Sequence, residues 1–224
     1  MNLENLTGVI LTVLGFLVLL FAIVVFTKTA WFKSAVGDAL LKWRLTNSLD
    51  KRVYYAIDGT AFPVASEKHS IDYIIVSKYG VMVIEAKNMK GWIYGSEFQQ
   101  KWVQKIFKHS DTFDNPLSQT NHHAKILQER LGLTDDQILS LVVFVGDSTF
   151  KTVMPINVIH SRGVIGFIKM QQRVVLSDNE VKQLIIRIEQ GRLESIVSSD
   201  KLKTEDGQVT KENQAIQNRY QNVS

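Results

Sequence analysis

The sequence predicts an α/β domain preceded by one membrane-spanning helix, and three stretches carry that reading. Residues 9–26 run for eighteen positions without a charge, enough at about 1.5 Å per residue to cross roughly 27 Å of hydrocarbon. Residues 71–87, IDYIIVSKYGVMVIEAK, form two β-branched apolar runs joined by a turn. Asn115-Pro116 starts a helix, as cap and first helical residue, which Gly132 ends. The chain divides into an N-terminal segment at 1–27, a domain at 28–192 and a polar tail at 193–224.

With 224 residues, 45% of them hydrophobic and 21% charged, the chain can build one domain with a sizeable core. Its net charge of +4 admits an anionic partner without demanding one. The absence of cysteine excludes disulfides, thiol catalysis and thiolate zinc sites.

The apolar run at 9–26 reads as a span rather than a cleaved signal peptide, because the charged residue before it is Glu4 and not a base. Lys28, Lys33, Lys42 and Arg44 follow it, and Trp31 and Phe32 suit the interface. The positive-inside rule therefore puts the amino terminus out and the domain in the cytoplasm; the expected location is the bacterial inner (cell) membrane, single-pass. Residues 31–45 have helical spacing, with Val36, Leu40 and Trp43 on one stripe and Leu41 and Leu45 on another that carries Asp38. Residues 51–57 read as a strand, Asp58-Gly59 as a turn and 61–64 as a short extended piece.

The hairpin at 71–87 carries charges where a half-buried sheet does not want them. Glu85 and Lys87 project to one side and Ala86 to the other. A two- or four-residue turn at 77–80 puts Asp72 on the side of Glu85 and Lys87, whereas a three-residue turn does not. Two carboxylates and an ammonium on an apolar sheet call for compensation, and a divalent cation between the acids supplies it. Asp72, Glu85 and the Ala86 backbone carbonyl are the candidate metal ligands. Hard oxygen donors select Mg²⁺ or Mn²⁺ over zinc. Lys87 stands ready to position or deprotonate a water.

Residues 91–95 and 101–104 read as a second, more polar hairpin. Lys90, Trp92, Lys101, Trp102 and Lys105 there alternate cations for phosphates with rings for bases, the composition of a nucleic-acid groove; the bland alternative makes the rings core and the lysines a solvated face. The helix at 115–131 aligns Gln119, His122, His123 and Ile126, but adjacent histidines diverge by about 100° and cannot chelate one ion together. Residues 139–145 read as a buried strand and 153–159 as another. Ser177 to Glu180 forms a capping box before an amphipathic helix at 181–188. The polar tail offers few apolar anchors, with a fraying helix expected around 210–220.

Ile71-Asp72, YGVMVIEAKN at 79–88, GWIYG at 91–95, Trp102 and NPLSQ at 115–119, in that order, resemble the NERD (nuclease-related) domain of the PD-(D/E)XK nuclease-like superfamily. The resemblance runs from about residue 36 to about residue 131. It implies a restriction-endonuclease-like mixed central sheet flanked by helices. It matches Asp72, Glu85 and Lys87 to the family's D and E-x-K positions and brings Gln119 into the site. Where the family shows Gly-Glu in its first helix this chain has Gly37-Asp38, so Asp38 enters as a catalytic candidate with a shorter reach. The expected function is a membrane-anchored, metal-dependent nuclease cutting phosphodiester bonds, in DNA, on the cytoplasmic side. The alternative is a non-cutting nucleic-acid-binding or protein-interaction module on the same fold. A homodimer stays open.

Overall fold

A computed structural model describes residues 13–22, 30–59 and 71–191. The ends of the apolar run at 9–26, the extended piece at 61–64 and the tail at 193–224 lie outside them. Helix α1 covers 13–22 with its apolar side chains exposed. Among the described residues no helix is long and apolar enough to cross a membrane.

The central sheet holds five strands in the order β1 (Tyr54–Asp58), β2 (Tyr73–Ser77), β3 (Gly80–Lys87), β7 (Ile138–Phe144) and β9 (Val158–His160). The first three pair antiparallel, and β3, β7 and β9 run parallel. Continuous apolar runs are required here because both faces are covered. Ile74, Val76, Val81 and Val83 point to one face, where they pack under α3 (Pro116–Leu131) and a helix α5 at 178–191. Ile75, Met82 and Ile84 point to the other, under α2 (Ala30–Asn47) and α4 (Val164–Met170). Each fully buried Leu or Ile contributes about 1.5–3 kcal/mol relative to exposure.

A second, four-stranded sheet, in the order β6 (His109–Asp114), β5 (Lys101–Ile106), β4 (Gly91–Tyr94) and β8 (Ser148–Phe150), grows from the ends of β3 and β7. Its inner face buries Ile93 and Trp102 against Leu117, Val142 and Phe144. The expected second hairpin is therefore the middle of a sheet of its own.

Several local readings need correction. Residues 51–53 form a turn, and β1 runs from Tyr54 through Asp58. Of the strand expected at 153–159, only Val158–His160 pairs, because Pro155 has no N–H for a ladder. Strand β6 escapes the sequence pattern because its residues are mostly exposed and polar. The start of α3 is as expected: the Asn115 side chain accepts from the Leu117 N–H, and Gly132 closes the helix with φ 69°. Ser177 and Glu180 exchange the reciprocal bonds of a capping box at the start of α5.

Candidate functional site

The β2–β3 turn is Lys78-Tyr79, two residues, because Ser77 pairs with Gly80. That parity sets Asp72 opposite Glu85, one residue beyond the Tyr73–Ile84 pair, and on the face covered by α3. The Gly59 N–H donates to the Asp72 carbonyl at 2.8 Å, and the Ala86 N–H donates to Asp72 Oδ2 at 2.7 Å. The backbone of one strand thus aims the acid of its neighbour.

Glu85 is 4% exposed, and its two oxygens have separate partners. Lys87 Nζ donates to Oε1 at 2.5 Å, and Thr120 Oγ1 stands 2.7 Å from Oε2. Lys87 Nζ also donates to Gln119 Oε1 at 3.1 Å. Asp72, Glu85, Lys87 and Gln119 therefore share one pocket under the first turns of α3. Nearby, His123 Nδ1 lies 3.9 Å from Glu85 Oε2 and is buried.

Thr120 and His123 were missed as site residues. The face of α3 that meets the sheet is Leu117, Thr120, His123, Ala124 and Leu127; of the row Gln119, His122, His123 and Ile126, His123 is buried, Gln119 and Ile126 are partly buried and His122 is exposed. A threonine and a histidine inside an otherwise apolar helical stripe were the available signal.

Burial raises the Asp72 pKa; the Ala86 N–H opposes this, Glu85 adds to it, Lys87 opposes it and Asp38 adds again. Burial likewise raises Asp38, against a hydrogen bond from the Asn88 side chain. A Cβ on Gly37 would stand 3.1 Å from the Val145 carbonyl, so glycine lets α2 approach the end of β7 and bring exposed Asp38 beside Asn88. Burial, then Asp58, Asp72 and Asp38, push the Tyr73 phenol up to about 12. It stays protonated at neutral pH beside an acidic corner.

Among the described residues no three or more His, Cys, Asp and Glu side chains converge as a metal cage. The acids present are two carboxylates, Asp72 just before β2 and Glu85 on β3, whose oxygens are the hard donors of the pocket. A cavity of about 310 Å³ lined by Tyr54, Ile75, Met82, Gln137 and Ile168 opens at the opposite, turn end of β2 and β3. None of the acid cluster lines it.

The expected nucleic-acid residues separate. Trp102 is fully buried, stacks on Phe144 and donates its indole N–H to the Ser96 carbonyl at 3.0 Å, so it builds the core and does not meet a ligand. Strand alternation explains this, since Lys101 and Lys105 lie on the opposite face to Trp102. Trp92 pairs with Lys105 across β4 and β5 and is 46% exposed. Lys105 Nζ lies 5.9 Å from its ring centroid and Lys151 Nζ, which the sequence did not single out, 4.6 Å. Lys101 is exposed and paired with Asp114 at 2.5 Å; Lys90 is exposed in the β3–β4 link.

No solved structure matches the chain. An uncharacterized protein of Bacillus anthracis is 37% identical over 98 residues, 43% of this chain and 46% of that protein. The chain thus spans under half the length of this curated relative. The Nuclease-related domain family matches residues 33–145, just over half of the chain and all of the strands and helices that build the acid pocket, and with that match the chain belongs to the NERD, nuclease-related domain, family.

Proposed function

We propose that this protein is a metal-dependent nuclease that hydrolyses phosphodiester bonds in DNA, anchored through residues 9–26 to the inner face of a bacterial cell membrane. The convergence of Asp72, Glu85, Lys87 and Gln119 in one pocket carries this reading. Two sheets flanked by helices, with the site at the end of β3, suit a restriction-endonuclease-like domain.

Asp72, Glu85 and the Ala86 carbonyl would hold Mg²⁺ or Mn²⁺. Such an ion polarises a scissile phosphate and makes water acidic enough to attack it. The side chains do the rest. Asp72 is fixed by the Ala86 N–H, and Glu85 is fixed on one oxygen by Thr120. Lys87, held between Glu85 and Gln119, orients the water and handles its proton. Trp92, Lys105 and Lys151 offer a ring and two ammoniums to the substrate backbone, and the exposed Lys90 and Lys101 add further ammoniums along the same chain segment.

The test uses the full-length chain in detergent micelles with DNA and RNA, single- and double-stranded, in Mg²⁺, Mn²⁺ or EDTA. Glu85→Ala and Lys87→Ala are each expected to lower cleavage by about a hundredfold or more while leaving the melting transition cooperative. EDTA abolishes wild-type cleavage. Undiminished cutting by both variants overturns the assignment. Salt-sensitive binding without cutting by wild type leaves the binding module instead.

A further inference from the structure

Strands β5 and β6 close through Ile106 paired with His109, so Phe107-Lys108 is a two-residue hairpin turn. Such turns need positive φ at their first central residue and recruit glycine, asparagine or aspartate for it. Here the position holds Phe107, at φ 52°, the only non-glycine residue with positive φ among those described. The residue is 94% exposed. A bulky residue in the left-handed region costs conformational energy that glycine would not, and an exposed ring recovers none of it by packing.

The turn also closes the strand pair that packs against the start of β4, the strand that follows β3. Trp92 pairs with Lys105, and a Cβ on Gly91 would collide with the Lys105 carbonyl and approach Ile106, so the Ile106 end of β5 lies against the start of β4. Gly91 is four residues beyond Lys87, a span of at most about 14 Å, or roughly four base steps of a duplex. Trp92, with Lys105 and Lys151 beside its ring, stands on the same end of the sheet.

Resting on the nucleic-acid reading above, we propose that Phe107 inserts into the base stack of the bound duplex, to one side of the cut. Phosphates lie on the lysines while the ring takes the place of a neighbouring base. Because unstacking is easiest where pairing is already broken, the preferred substrate is a duplex with a mismatch, bulge or single-strand junction. One ring is too little apolar surface to hold a bilayer, but it suffices to bias one base step.

The experiment measures binding of the full-length chain, in micelles and EDTA, to short duplexes that are fully paired or carry one mismatch beside a fluorescent base analogue. Wild type should bind the mismatched duplex about tenfold more tightly and change the analogue's emission. Phe107→Gly keeps the turn and removes the ring; it should equalise the two affinities while holding the paired duplex within about twofold. Phe107→Trp should retain the preference. Equal affinities in wild type, or a preference that survives Phe107→Gly, overturn the insertion. So does loss of anionic-vesicle binding in Phe107→Gly with nucleic-acid affinity unchanged, which marks a lipid contact. Cutting without this preference removes the wedge and keeps the hydrolase; the preference without cutting does the reverse.

Discussion

At Glu85 the two carboxylate oxygens serve different neighbours, Lys87 on one and Thr120 on the other, so the side chain is oriented before any substrate arrives. Asp72 is held at a cost. Burial raises its pKa, and the Ala86 N–H only partly offsets that. A carboxyl raised on folding lends stability that is full below the unfolded aspartate range, near about pH 4, and is lost as pH rises through the folded value. Asp72→Asn keeps an acceptor for the Ala86 N–H and discards the charge. In EDTA at neutral pH it should be more stable than wild type, with the difference shrinking away as pH falls below about 4, while in Mg²⁺ its cleavage disappears. Urea unfolding at both pH values checks this; an Asn variant less stable at neutral pH would show that the pocket favours the charged acid even without metal.

Between elements, the two tryptophans of the second sheet separate packing from binding. Trp102→Ala removes a fully buried ring between Phe144 and Phe113 and should cost about 3–5 kcal/mol. Trp92→Ala should cost under about 1 kcal/mol and instead weaken nucleic-acid binding. Denaturant unfolding beside a binding titration reads both; equal destabilisation by the two would remove Trp92 from the surface. Much of the site was legible in the residues because its signals are local. Asn115, Pro116 and Gly132 cap a helix within their own turns, and the Lys78-Tyr79 turn fixes the face of Asp72. What was not legible depends on partners far along the chain. Trp102 looked like a stacking platform until its pairing with Phe113 turned it inward, and Thr120 and His123 acquire meaning only once Glu85 lies beneath them. Strand β6 is a strand because β5 supplies its register, not because of any apolar alternation of its own.

For the whole molecule, tethering decides where such a site could act. Helix α1 at 13–22 exposes Val13, Phe16, Leu17, Leu20 and Phe21, and the outer stripe of α2 exposes Val36, Leu40 and Trp43. Apolar surface that the domain does not cover, continuing from an uncharged run and followed by lysines and arginine, suits an anchor with the domain on the positive side. The full-length chain should therefore stay with membranes through high-salt and alkaline washes, and a reporter fused after Ser224 should behave as cytoplasmic. Leu14→Lys with Val18→Lys places two ammoniums near the middle of the run, at about 3 kcal/mol each, and should move the chain to the soluble fraction. Because neither position touches the acid pocket, released protein should still cut nucleic acid at its original rate. Wild type found in the soluble fraction removes the anchor and leaves the pocket's proposed chemistry standing; a reporter facing outward reverses the orientation, and with it the compartment in which the proposed substrate would be met.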